Sequence, residues 1–154
     1  EITKEFNLIV RPHYHDAKRI PKVKIWAKLH GIKNLYFSNP SKLLTNDTMQ
    51  DFMASDILIS DTSSVLYEYL ITGKPIIIAK TNCDELHTMP DDMNIMKHAN
   101  IYEGSQNIVK MIKNNLLSKP YTNDYKKMLN SCFYFNDGKS TERAVSFIKS
   151  ISVK

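Results

Sequence analysis

Two nearly unbroken apolar runs, Asp56-Ile57-Leu58-Ile59-Ser60 and Pro75-Ile76-Ile77-Ile78-Ala79, constrain the fold of this chain more than any other feature. A strand with one wet face alternates apolar and polar residues, whereas a strand covered on both faces does not. Both runs therefore predict strands inside a parallel sheet with helices on either side. Two earlier β-like runs, Asn7–Val10 and Asn34–Phe37, and a short one near Ile101 extend the series. Between them the spacing predicts helices. Ile20–His30 carries Val23, Trp26, Ala27 and His30 at helical intervals, with Pro21 in the first turn and Gly31 as a stop. Asp47–Ala54 has Asp47 as a cap and Met49, Phe52 and Met53 facing inward. Ser63–Ile71 opens on hydroxyls and ends at Thr72-Gly73. After a loop over Thr81–Ala99, further helices are expected at Ser105–Leu117, Asn123–Phe133 and Ser140–Ile151. Strand alternating with helix is the grammar of an α/β, Rossmann-like parallel sheet.

Size and composition narrow the function classes. A chain of 154 residues that is 42% hydrophobic can close one core without a disulfide or metal staple. Cys83 and Cys132 have the spacing of neither a zinc site nor a disulfide framework. No apolar run approaches the roughly 18 residues of a membrane span, and no signal-peptide pattern opens the chain, so a cytoplasmic location is expected. The first residue is Glu1 rather than Met, which suggests a piece of something longer. The net charge of +5 favours anionic partners. Of the 21 basic residues only Arg11, Arg19 and Arg143 are arginines. Each merits attention, because guanidinium holds phosphate or carboxylate in a fixed fork.

In an open parallel sheet, ligands bind beyond the carboxyl ends of the strands. The first strand runs into Arg11-Pro12-His13-Tyr14-His15-Asp16, and the third into Ser60-Asp61-Thr62-Ser63-Ser64 at the start of a helix. Successive hydroxyls beside unpaired backbone N–H groups suit a phosphate. The plainer alternative is that Asp61 and Ser63 only cap the helix. Glu68, one turn on, has the chemistry to accept from a sugar hydroxyl, or is a solvated helix residue. His13 and His15 would share one side of an extended segment, and without a carboxylate or Cys cluster they suit phosphate better than metal. A loop-bound His13 is the competing reading. Lys18, Arg19, Lys22, Lys24 and Lys28 read as a solvated basic face; with Trp26 the sole interleaved aromatic, nucleic acid is not expected as a partner. Near the end, Asp137-Gly138-Lys139-Ser140-Thr141-Glu142-Arg143 opens the last helix, with Ser140 or Thr141 expected as its cap. Arg143 is disfavoured there unless it meets an anion, either a neighbouring carboxylate or a bound phosphate.

Four of these segments together resemble the CDP-glycerol glycerophosphotransferase family of teichoic-acid and capsule polymerases. They are Arg11-Pro12-His13, Ser55 through Ser64, Tyr67-Glu68-Tyr69 with Gly73-Lys74-Pro75-Ile76, and Asp137 through Arg143. The similarity covers about Phe6 to Ala79 and Asn136 to Ile148. It implies a GT-B architecture, two Rossmann-like halves facing a cleft, in which residues 1–154 are a single nucleotide-donor-binding domain resembling the carboxyl-terminal half. In the family an acceptor hydroxyl attacks the phosphate attached to glycerol, and the nucleoside monophosphate leaves. Carried over by position, His13 takes the catalytic place and faces the diphosphate with Arg11. Asp61, Thr62, Ser63 and Ser64 hold phosphate, Glu68 lies near the ribose or donor, and Asp137, Ser140 and Arg143 complete the rim.

The family's Trp-His-Gly-Thr-Pro motif, which carries the proposed general base, does not occur in these residues, so by this resemblance the chain binds donor without turning it over. Thr62 stands where an aromatic is usual, Tyr14 where a second Pro is common, and Asn82–His98 lacks a Gly-Pro-rich stretch. The donor therefore stays open among CDP-glycerol, CDP-ribitol, another nucleotide-linked alditol and a nucleotide sugar. The implied substrate is a CDP-linked donor, with no covalent cofactor and metal dependence open. The implied partners are an amino-terminal half, a polymer acceptor and an anionic membrane surface at the inner face of the cell membrane. Two other classes fit less of the pattern: a nucleotide-sugar GT-B glycosyltransferase or epimerase domain, and a non-catalytic α/β interaction module.

Overall fold

A computed structural model describes residues 1–38, 48–80 and 89–152. Its strands are β1 (Leu8–Val10), β2 (Leu35–Phe37), β3 (Leu58–Ser60), β4 (Ile76–Ala79) and β5 (Asn100–Tyr102). Its helices are α1 (Ile20–Leu29), α2 (Thr48–Ala54), α3 (Val65–Tyr69), α4 (Ile108–Ser118), α5 (Thr122–Cys132) and α6 (Ser140–Ile151). All the ladders are parallel. Among the described residues they form two groups, β1–β2 and β3–β4–β5. The architecture is α/β with helices flanking parallel strands, consistent with a Rossmann-like fold.

The isoleucines of β4 show why its sequence does not alternate. Ile76 and Ile78 pack on one face with Phe52 of α2, Leu66 and Tyr69 of α3, and Tyr125 and Met128 of α5. Ile77 turns to the other face and meets Ile108 and Ile112 of α4. Each fully buried isoleucine contributes roughly 1.5–3 kcal/mol of transfer free energy, so the central strand is stabilised from both sides. Asn115, the buried polar residue in this layer, accepts from Asn100 Nδ2 at 2.8 Å and donates to the Met111 carbonyl at 2.9 Å.

Two expectations are corrected, on α2 and on the loop before β5, and the burial in α1 is a further finding. In α2 only Phe52 is buried, while Met49 and Met53 are exposed; at this length the helix offers a single inward position. In α1 only Ala27 is buried, and Val23, Trp26 and His30 are exposed. The stretch read as a loop before β5 contains 3₁₀ turns at Asp91–Met93 and Ile95–Lys97, and Ile95 enters the core. Asp47, Cys83 and the start of that loop lie outside the described residues.

The motif Gly73-Lys74-Pro75 braces this frame. Gly73 takes φ 62°, the left-handed conformation that ends the 3₁₀ turn Leu70–Thr72 following α3. Lys74 then reaches back across the sheet end. Its Nζ donates to the carbonyls of Phe52, Met53 and Ser55 at 3.1, 3.0 and 2.6 Å. These are the carbonyls at the carboxyl end of α2 that have no partner within the helix, and a cation is favoured there.

Candidate functional site

Arg11 follows β1 directly and Asp61 follows β3 directly, so both polar segments leave the carboxyl ends of their strands. The β3–β4–β5 register sets Ser60 beside Ile78 and Ala79 beside Tyr102. Asp61, Lys80 and Glu103 therefore emerge along one edge, where Lys80 Nζ lies 3.5 Å from Glu103 Oε1. Lys80 was not singled out from the sequence. The signal for it is simple: it is the first residue beyond a buried parallel strand.

Beyond β1, the Arg11 guanidinium donates from Nη1 to Asp51 Oδ2 at 2.6 Å, with both side chains mostly shielded. Ser38 Oγ donates to the same carboxylate oxygen at 2.5 Å. The end of β1, the residue after β2 and helix α2 are thereby tied together by one carboxylate. This charge-assisted pair orients the Arg11 fork and lowers its net positive field. Asp51 lies 40 residues from Arg11 in sequence, and no local pattern reveals the pairing.

His13 is exposed and precedes the 3₁₀ turn Tyr14–Arg19. Its Nδ1 accepts from the backbone N–H of His15 at 3.4 Å, and the two imidazole rings lie 5.0 Å apart. An Nδ1 that accepts leaves the proton of the neutral ring on Nε2, which is then a donor. The structure shows His13 bonded within its own loop, as the competing reading has it.

At the end of β3, Ser63 Oγ accepts from the Val65 N–H at 3.5 Å. Ser64 occupies the cap position of α3 without a capping side-chain bond, and Asp61 accepts from Ser60 Oγ at 3.5 Å. Asp61 and Ser64 are exposed; Thr62 and Ser63 are half-buried. Glu68, on the outer side of α3, borders an apolar cleft of about 180 Å³ lined also by Met49, Ile71, Leu129, Phe133 and Asn136. Phe133 and Asn136 were not among the sequence-derived candidates. They join Glu68 only through the tertiary packing of α5 on α3.

The segment before α6 is organised around Asp137. Its carboxylate accepts from the Lys139 N–H at 3.0 Å and from Arg143 Nη1 at 3.0 and 2.9 Å. The Lys139 amide and then the Arg143 guanidinium hold the Asp137 carboxyl below the usual carboxylate range. Arg143 also lies over the Phe135 ring, 4.2 Å from its centroid. Of the two anions considered for Arg143, the structure shows a neighbouring carboxylate, Asp137. Ser140 begins α6 and Lys139 holds the cap position, with no side-chain cap; Asp137 closes the turn just before the helix by accepting from the Lys139 N–H.

Among the described residues, no three His, Cys, Asp or Glu side chains are grouped so as to hold a metal ion. No helix there is long and apolar enough to cross a membrane. The candidate residues lie at strand and helix ends, with Arg11 paired to Asp51, Lys80 to Glu103 and Arg143 to Asp137. A family model for CDP-glycerol:poly(glycerophosphate) glycerophosphotransferase matches residues 1–150. The chain belongs to that family. The match spans all four segments that carry the resemblance, including Asp137 through Arg143 more than 60 residues beyond Gly73-Lys74-Pro75. Comparisons with curated proteins and with solved structures gave no match.

Proposed function

We propose that this chain is the donor-binding part of a glycerophosphotransferase that moves glycerol phosphate, or a related alditol phosphate, from a CDP-linked donor to a polymer hydroxyl in teichoic-acid or capsule synthesis. The observation that carries this reading is the family match across nearly the whole chain. Its companion is the polarity of the strand ends: Arg11 and His13 follow β1, and Asp61 through Ser64 follow β3. A CDP-linked donor presents a diphosphate, a ribose and a base. The His13 Nε2–H and the Arg11 fork have the donor chemistry for the diphosphate, and the Ser63 and Ser64 segment adds hydroxyls and backbone amides. Glu68, at the mouth of an apolar cleft with Phe133 and Asn136, has the chemistry for ribose hydroxyls and the base.

In the transfer itself the acceptor oxygen bonds to the glycerol-bearing phosphorus as the bridging P–O bond breaks, and cytidine monophosphate leaves with that oxygen. The hydroxyl proton passes to a base outside the motifs of this chain. Here the residues bind, orient and neutralise: the diphosphate carries negative charge throughout, and fixed cations stabilise the charge that gathers on the leaving oxygen. Asp137 and Arg143 form the rim of this arrangement, Ser140 standing at the helix start between them in sequence.

Calorimetric titration with CDP-glycerol, cytidine monophosphate and a uridine diphosphate sugar tests the reading. Saturable binding of both cytidine nucleotides, with the uridine sugar weaker, is expected. A marked preference for the uridine sugar transfers the chain to glycosyl transfer, and no nucleotide binding at millimolar concentration assigns it to a non-catalytic interaction module.

A further inference from the structure

Tyr36 stands in the middle of β2, yet it is 52% exposed. The parallel register places it beside Ile9 of β1, and Asn7, two residues before Ile9, shares that face by strand alternation. On α2, Asp51 and Ala54 lie about one turn apart and form the opposing wall. Ser38, directly after β2, closes one end through its bond to Asp51. These residues line a cleft of about 390 Å³, within the roughly 300–1,000 Å³ range of small-molecule sites. It is separate from the apolar cleft at Glu68, and α2 contributes to both: Met49 borders one, Asp51 and Ala54 the other.

We propose that this cleft binds a neutral polyhydroxyl unit, a sugar ring or an open-chain alditol. Its polar groups have the matching chemistry. A hydroxyl both donates and accepts; the Asn7 amide does both, and the Asp51 carboxylate accepts. A carboxylate has about four acceptor positions, and on Asp51 the Arg11 Nη1 and the Ser38 Oγ take two of them, at 2.6 and 2.5 Å. The others suit hydroxyl donors. Charge favours a neutral ligand. Among the described lining residues Asp51 is the charged one, and Arg11 compensates it. An anion would be repelled by that carboxylate, and a cation would compete with the guanidinium already held there. The Tyr36 ring, beside Ile9 and Ala54, supplies a flat apolar surface for the C–H side of a sugar. Of the residues given to the donor, only Arg11 touches this lining, so the two sites can be tested apart.

Amide chemical-shift titration of the full chain with methyl α-glucoside, and separately with ribitol, tests the proposal. Saturable millimolar binding is expected, with shifts at Asn7, Ile9, Tyr36 and Ser38. The ligand with the lower Kd identifies the source as ring sugar or open-chain alditol. Tyr36→Ala, which removes the ring, and Asn7→Ala, which removes the amide, are each expected to weaken binding about two- to tenfold. Tyr36→Phe keeps the ring and is expected to retain binding. Both positions are exposed, so circular dichroism is expected to stay unchanged; if Tyr36→Ala loses structure, Asn7→Ala carries the test. Absence of saturable shifts at these residues with either polyol overturns the proposal, and leaves the donor reading intact if CDP-glycerol still shifts Arg11–His15. Saturable binding that both alanine variants leave unchanged also overturns it. So does glycerol phosphate perturbing Asn7 and Tyr36 at lower concentration than either neutral ligand, which marks an anion site instead.

Discussion

Replacing Lys74 by Met keeps the aliphatic stem and removes one charge and three hydrogen bonds to the Phe52, Met53 and Ser55 carbonyls. Bonds from a charged donor contribute about 1.5–3 kcal/mol each when the acceptor is left dry. Lys74 is half-buried, so water recovers part of that loss for the outer carbonyls. The two part-buried bonds, to Phe52 at 3.1 Å and to Ser55 at 2.6 Å, and the helix-end charge effect then dominate. Together they give a loss of about 2–3 kcal/mol, a fall in melting temperature of roughly 5–10 °C for a chain of this size. Urea denaturation followed by circular dichroism measures the change. Because α2 also carries Asp51, which holds Arg11, nucleotide affinity is expected to drop in the same variant even below its melting point. A stability change under about 0.5 kcal/mol would show that the three contacts do not brace α2, and the strut reading of this motif would fail.

Other substitutions probe the site and the core separately. His13→Ala and Ser63→Ala are each expected to weaken cytidine monophosphate or CDP-glycerol binding by about five- to twentyfold while leaving the melting temperature nearly unchanged; unfolding of both variants would make these residues structural. Tyr125 is fully buried with no regular hydrogen bond to its hydroxyl, and burial pushes its pKa up to about 12, the Ile76 backbone opposing the shift. The raised folded value means stability is complete below the ordinary phenol pKa of 10.0 and declines as pH rises from there to about 12. Tyr125→Phe is expected to cost less than about 1 kcal/mol at neutral pH and to flatten that decline, which denaturation at pH 9 and 11 would reveal. For the depressed Asp137 carboxyl, Arg143→Gln is expected to move the pKa back toward the ordinary range in a carboxyl-carbon NMR titration; an unmoved value would assign the depression to the Lys139 amide alone.

Much of the fold was legible in the sequence because its decisive signals are local. Three consecutive isoleucines between Pro75 and Ala79 describe a strand buried on both faces, and α6 spans Ser140–Ile151 as its periodicity implies. Side-chain burial was less legible. Met49, Met53 and Trp26 satisfy a helical pattern yet lie exposed, because spacing gives a face but not what covers it. The candidate residues at strand ends could be read from polarity following an apolar run. Their partners could not: Asp51 reaches Arg11, Lys74 reaches α2, and Phe133 reaches Glu68 through tertiary packing alone. Asp137 illustrates the intermediate case. Its bonds to Lys139 and Arg143 span two and six residues, within reach of local reasoning, but a serine beside it offered the more familiar cap.

The donor-binding claim is tested most directly by amide chemical-shift perturbation in the full chain titrated with CDP-glycerol. Saturable shifts confined to Arg11–His15, Asp61–Ser64 and the neighbourhood of Glu68 are the expected result. Saturable shifts centred elsewhere, with those three segments silent, would contradict it.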